Sequence, residues 1–189
     1  AVNRLILELS TRYPLMELTL LNGTPTEVTD YIDQERAELA IHFDRGPLRA
    51  RFDGRQIGTV AQGVFVAAGH PLLERQPVAR RDLARYRQLL IHADDVEPIA
   101  YSPRVWRSDS FYNIAEMVAD DLGWAILPTN IAAAANGSKP LRSVDCPFLA
   151  LPPLSVRMLW RQGRPLRAPE RWVETRFSEL LSAGADRLT

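Results

Sequence analysis

Apolar positions recur at helical spacing in several stretches of the chain, and short apolar runs separate them. Val2, Leu5, Ile6 and Leu9 return every three or four residues until Tyr13-Pro14 breaks the run, so the spacing predicts a helix over 2–12. "LMELTLL", 15–21, reads as a strand, and Asn22-Gly23 as a turn. Thr24-Pro25-Thr26-Glu27 then supplies a capping threonine, proline at the first helical position and glutamate three residues after the cap. Val28, Tyr31 and Ile32 give the helix opened there its apolar face, and "ELAIHF", 38–43, follows as a strand. Helix, strand, helix, strand with short loops predicts a parallel sheet covered by helices. A first helix with an apolar stripe normally follows a strand in such a sheet, and none precedes Val2. The pattern therefore raises the expectation of at least one further strand upstream.

The second half repeats the rhythm. A strand is expected around 60–68, a break at His70-Pro71, a short helix near 80–85 and a strand at 88–92, then an irregular stretch over 93–107. In "SDSFYNIAEMVADDLGWAILP", 108–128, Phe111, Ile114, Ala115, Val118 and Leu122 fall on one helical face. Gly123 is placed to end that helix, and "WAIL", 124–127, is a short buried strand. A looser segment leads to the strand "VRMLW", 156–160. A final helix from Pro169 turns Trp172, Val173, Phe177, Leu180 and Leu181 inward. There is no internal repeat or low-complexity tract.

Composition narrows the function classes. At 189 residues, 46% of them apolar and 24% charged, the chain can bury one large core or two small ones. Its 23 basic residues balance 23 acidic ones, which argues against nucleic acid as a direct partner, since phosphate binding needs a net positive face. Lys139 is the only lysine, a skew that coding bias explains more simply than arginine-specific contacts. Cys146 stands alone, so no internal disulfide and no thiolate metal site is expected. His42, His70 and His92 show no helical metal spacing and no acidic partner beside them, so no metal is expected either. No nucleophile elbow, Walker loop or dinucleotide fingerprint is present, and the reading is of a protein without cofactor that is not an enzyme. No apolar run is long enough to span a membrane. The N-terminus shows no charged and then apolar signal segment and no methionine, so its start is expected to lie inside a longer gene product. Asn22-Gly23-Thr24 and Asn136-Gly137-Ser138 match glycosylation sequons but read as turns.

Ser108, Asp109 and Ser110 open the helix of the quoted unit. One of them acts as N-cap; beyond that, a hydroxyl, free backbone N–H groups and the helix dipole together suit a carboxylate, against which Asp109 works unless it points away or caps. The Trp106-Arg107 pair could stack on an aromatic ligand, although burial of Trp106 against its own unit is the simpler reading.

Four ordered stretches now carry a resemblance. "RYPLMELTLLNGTPTEVTDYIDQERAELAI", "VFVAAGHPLLERQPVARRDLARY" with its His70-Pro71-Leu72 and Asp82-Leu83, "SDSFYNIAEMVADDLGWAILP" and the closing strand and helix over 156–182 resemble the effector-binding domain of LysR-type transcriptional regulators. The resemblance covers nearly the whole chain. It departs at Asp121, where the family usually has glycine, and at Glu38, where members often carry aspartate. The family's winged helix-turn-helix and linker helix have no counterpart here.

The resemblance implies an α/β, periplasmic-binding-protein-like fold of type 2, two α/β lobes joined by two crossover strands. One lobe would comprise 1–66 and 157–189, the other 67–156. It further implies a cytoplasmic regulatory domain that binds a small-molecule effector, a carboxylate being one candidate, in the cleft between lobes. The domain would form homodimers, pairing the helix near 2–12 with the helix near 110–120 of a second copy, and tetramers in the full-length protein. DNA would be bound only through the upstream domain. The ligand would meet His42 and Phe43 at the end of the strand 38–43, Ala67 in the first crossover, Ser108, Asp109 and Ser110, and Pro128 and Thr129. Ser108 falls where family members place an effector-contacting hydroxyl. The alternative on this fold is the solute-binding protein of an uptake transporter, and after it an enzyme of deaminase-like or dehydratase-like type.

Overall fold

A computed structural model describes residues 2–43, 50–92, 98–135 and 139–185, with 184 and 185 as backbone only. In chain order its elements are α1 (Val2–Arg12), α2 (Pro25–Asp33), β1 (Ala40–Phe43), β2 (Phe52–Val60), β3 (Gln62–Ala67), α3 (Arg80–Leu83), β4 (Gln88–Ile91), β5 (Val105–Ser108), α4 (Phe111–Ala119), β6 (Trp124–Pro128), α5 (Thr129–Ala134), β7 (Leu141–Val144), β8 (Leu154–Arg161) and α6 (Ala168–Ala185). They form two compact units. The first holds the described residues up to Val60 and from Leu154 onward, the second those between Ala61 and Pro153.

The first unit is built on the sheet β1-β8-β2, antiparallel throughout. β8 is its middle strand, and its alternation decides the packing. Val156, Met158 and Trp160 join Leu5, Ile57, Val60, Phe177 and Leu181 in one core cluster, while Leu159 joins Ile32, Ala40 and Phe52 in another. Each such fully buried side chain contributes about 2 kcal/mol. The capping box of α2 forms as its sequence dictates: Thr24 Oγ1 accepts from Glu27 N at 3.3 Å, and Glu27 Oε2 accepts from Thr24 N at 2.7 Å. At the start of α6 the buried Glu170 accepts from Arg167 N at 2.6 Å and Arg164 Nη1 at 2.9 Å. Burial pushes the Glu170 carboxyl up, but the Arg167 backbone N–H and the Arg164 and Arg167 guanidiniums outweigh it and hold it below its ordinary range.

Two expectations for this unit need correction. Residues 15–21 are not a strand: they run outside any ladder, with Leu15 97% and Leu20 59% exposed. The apolar pattern alone does not make a strand, because a strand needs a neighbour to accept its backbone bonds, and no described strand lies beside this segment. The parallel sheet expected for 1–43 is absent for the same reason, since β1 pairs with β8 instead.

The second unit carries the sheet β5-β4-β6-β3-β7. Here β5, β4 and β6 are parallel, whereas β3 runs antiparallel to both β6 and β7. α4 lays Ile114, Ala115 and Val118 on Leu89, Ala125 and Leu127, as its spacing predicts. On the other face Trp124 is fully buried among Val64, Val66, Leu72 and Leu83, and its Nε1 donates to Leu83 O at 3.0 Å. His70 is buried too. Its Nδ1 accepts from Leu72 N at 3.2 Å, capping a 3₁₀ turn over Pro71–Glu74. Burial pushes its pKa down, so the imidazole serves as a neutral cap. The sequon Asn136-Gly137-Ser138 lies outside the described residues.

Gly123 does not end α4, contrary to its spacing. The helix closes in a Schellman motif, with Asp121 N donating to Val118 O at 3.0 Å and Leu122 N to Met117 O at 3.1 Å, so that Asp121 takes φ +58°. α2 ends identically on Glu35, φ +59°, with Glu35 N donating to Ile32 O and Arg36 N to Tyr31 O. Both side chains strain a left-handed position that suits glycine. Asp121→Gly is therefore expected to raise stability by about 0.5–1 kcal/mol in chemical denaturation, despite the added flexibility of the unfolded chain. A destabilised variant would mean that the side chain itself contributes at this site.

The units divide at 60/61 and 153/154, whereas the sequence placed the boundaries at 66/67 and 156/157. Ladder membership explains the difference. β3 is bonded to β6 and β7 along its length and so belongs to their sheet, and β8 pairs with β2 from Leu154 onward.

Candidate functional site

Each unit gathers candidate residues at one end of its sheet. In the second unit the parallel order of β5, β4 and β6 brings their carboxyl ends to the same edge. Ser108 ends β5, and its carbonyl accepts from His92 N at 2.7 Å. Its hydroxyl accepts from Ser110 N at 3.2 Å, which turns the chain into α4. Ser110 is the N-cap, with Oγ accepting from Asn113 N at 3.4 Å. Capping thus belongs to Ser110, and Asp109, exposed between the two serines, does not cap. Pro128 ends β6 at the same edge, and Thr129 opens α5 with its N–H donating to Ala61 O at 2.9 Å.

The chain enters this unit at that edge as well. Gln62 stands opposite Pro128 in register, and Gln62 Nε2 donates to Pro152 O at 2.8 Å, tying the incoming segment to the outgoing one. Neither Gln62 nor Ala61 was singled out by the sequence; a polar residue beside the start of a strand carries no signal until the strand's partner is known. Ala67 is not brought to this edge. Because β3 is antiparallel to β6, its carboxyl end lies beyond Ala125, at the amino end of β6. There Ala67 is buried, and its carbonyl accepts from His70 N at 3.1 Å.

In the first unit His42 and Phe43 end β1, opposite Arg157 and Val156. β8 begins two residues earlier at Leu154, paired with Val60, the last residue of β2. His42 and Phe43 therefore sit at the end where the chain leaves and re-enters this unit. Phe43 is partly buried against the Val156 and Met158 cluster.

The second unit offers hydroxyls and a helix N-terminus, and the first offers a strand-end histidine. Among the described residues no group of three His, Cys, Asp or Glu side chains could hold a metal ion. Cys146 is buried, and its thiol is pushed up to about 11 by burial and the nearby Asp145, which keeps it protonated and unreactive at neutral pH. No helix among the described residues is long and apolar enough to cross a membrane. Trp106 is 46% exposed rather than buried, with the Arg87 guanidinium 3.8 Å from its ring centroid.

Comparison with known proteins places this geometry. The family described as LysR substrate binding domain matches residues 2–181. The transcriptional regulator AceR of Acinetobacter baumannii is 24% identical over 123 residues, 64% of this chain and 41% of AceR. The regulator CysB of Burkholderia cenocepacia is 36% identical over 95 residues, 48% of this chain and 28% of CysB. These matches thus span less than half of either relative. Among solved structures, the reduced form of the OxyR regulatory domain from Pseudomonas aeruginosa superposes with a TM-score of 0.71 at 21% identity, covering 95% of this chain and 90% of that one.

Proposed function

The chain belongs to the LysR substrate-binding domain family, and from that membership we propose that it senses a small-molecule effector held between its two units and passes the signal to an oligomer. One observation carries the proposal. His42 and Phe43 in one unit, and Ser108, Asp109, Ser110, Pro128 and Thr129 in the other, each lie at the sheet end where the chain crosses over. A ligand between those ends would touch both units, and unequal affinity for two arrangements of them is what converts binding into a signal. Open α/β sheets bind ligands outside the carboxyl ends of their strands, which is where Ser108 and Pro128 stand. In this reading Gln62 takes the first-crossover position, and Ala67 shapes the core behind it.

The effector chemistry we favour is a carboxylate, with the Ser108 hydroxyl and the first N–H groups of α4 as donors. A panel of small carboxylic acids screened by thermal shift identifies a binder, and calorimetry with Ser108→Ala then tests the site. Loss of one hydrogen bond to a charged group is expected to weaken affinity by roughly 1–2 kcal/mol with melting unchanged. Undiminished affinity would remove Ser108 from the contact set and leave it the turn it makes with Ser110.

We further propose that α1 packs on α4 of a second copy in an antiparallel dimer, with tetramers in the full-length protein. Val2 and Leu7 on α1 and Tyr112 on α4 are exposed apolar groups that such pairing would cover. DNA would then be contacted through a separate domain of a cytoplasmic regulator, and no enzymatic step is assigned to these residues. Cys146 argues against thiol-based sensing.

A further inference from the structure

The arginines of the two units are partnered differently. Among the described residues every arginine–carboxylate ion pair lies in the first unit. In the second unit the ion pair is Lys139–Asp120, and the arginines around β4 and β5 make other contacts. Arg87 donates to Leu122 O at 3.3 Å and stacks on Trp106, Arg104 donates to Arg85 O, and Arg80 lies 5.5 Å from the Tyr101 ring centroid. Arg85, Arg104 and Arg107 are exposed. Among the described residues none of these guanidiniums is ion-paired with a carboxylate. Most of them stand at the amino ends of β4 and β5, away from Ser108.

Among the described residues the same place has an open sheet edge, where β5 is the outermost strand and pairs with β4 alone. Gln88 N donates to Arg104 O and His92 N to Ser108 O, so by the period of two the N–H and C=O groups of Val105 and Arg107 point away from the sheet. Trp106 on β5 and Ile99, in the segment leading to β5 with its carbonyl accepting from Gln88 Nε2, expose apolar surface.

We propose that the β5 edge is a docking surface for an extended acidic segment of a partner protein, which adds a strand along Val105–Ser108 and sets its carboxylates among Arg85, Arg104 and Arg107. The free backbone groups supply pairing, the guanidiniums supply the choice of acidic side chains, and Trp106 and Ile99 cover the apolar residues between them. Nucleic acid fits less well. A phosphate backbone uses the charge but neither the strand edge nor the apolar surface, and the chain as a whole is neutral.

The test uses the whole 189-residue chain and fluorescence anisotropy with a short labelled peptide alternating glutamate and valine. The same peptide with lysine for glutamate and a labelled DNA duplex serve as competitors. The acidic peptide is expected to bind with Kd on the order of 100 µM or below, weakening with salt. Arg85→Glu with Arg104→Glu should weaken it at least about tenfold and admit the lysine peptide. Arg107→Pro should weaken it more than Arg107→Ala, because proline removes an outward N–H that an edge strand can spare without unfolding. Circular-dichroism melting of each variant separates lost binding from lost folding. Absence of binding up to about 1 mM, affinity indifferent to all these changes, or preference for the duplex would each overturn the proposal. The arginines would then guard the edge against pairing, or in the last case bind phosphate.

Discussion

Gly123→Ala is expected to destabilise the protein by at least about 3 kcal/mol, lowering the melting temperature by roughly 6–12 °C for a chain of this length. A β-carbon at Gly123 would stand 2.3 Å from the Arg87 carbonyl oxygen and 3.1 Å from its carbon. That carbonyl belongs to the backbone leading into β4, so no side-chain rotation relieves the clash. Moving it away would break the bond it accepts from Trp124 N at 3.0 Å and pull β6 from β4 at the point where the two strands begin. Trp124 would leave its fully buried position with it. Gly69→Ala is the matched control, since a β-carbon there meets nothing within 4 Å and should change stability by no more than about 0.5 kcal/mol. Coincident melting curves for the two variants would show that the backbone yields at Gly123 and that the close approach is not structural.

Gln88→Leu is the second large effect, with an expected loss of about 3 kcal/mol or more. Gln88 is fully buried, and one side chain satisfies three backbone groups of the segment preceding β5: Oε1 accepts from Tyr101 N at 2.6 Å and Ser102 N at 3.2 Å, and Nε2 donates to Ile99 O at 3.1 Å. Leucine nearly preserves the volume but leaves these groups without their partner, the Ser102 amide in the interior, each costing about 1–3 kcal/mol if water does not reach it. Because this segment delivers the chain into β5, the change should also raise amide exchange at Val105–Ser108 and loosen the strand that carries Ser108. Urea denaturation measures the stability, and hydrogen exchange measures the local effect. A stable variant with unchanged exchange would mean that water enters and satisfies the freed groups.

The parts of the candidate site legible in the sequence are those made by neighbours in sequence. The cap of α4 is a bond across three residues, which residue type placed within Ser108–Ser110 and the structure assigned to Ser110; outside the site the Thr24–Glu27 box is another, for which residue type and spacing suffice. Short strands without period were not legible. β2 contains Gly54 and Gly58 between Phe52, Ile57 and Val60, and β7 hides in a looser stretch, because their ladders with β8 and β3 are formed by distant residues. Residues 15–21 show the converse, a good strand pattern without a described partner.

By itself, then, the sequence determined the α/β class, the capping box of α2, the apolar faces of the main helices, the family, and the place of Ser108–Ser110 at the start of α4. All of these rest on residues a few positions apart or on an ordered set of motifs. Only the tertiary structure decided which end of the sheet each strand presents. Parallel β5 and β6 bring Ser108 and Pro128 together, while the antiparallel course of β3 sends Ala67 to the far end and leaves Gln62 in its place. It also decided that Gly123 serves a close approach rather than a helix end, and that Trp106 lies half exposed beneath Arg87 on the outermost described strand of its sheet. Strand direction, backbone proximity and exposure depend on contacts between residues far apart in the chain, and local composition does not encode them.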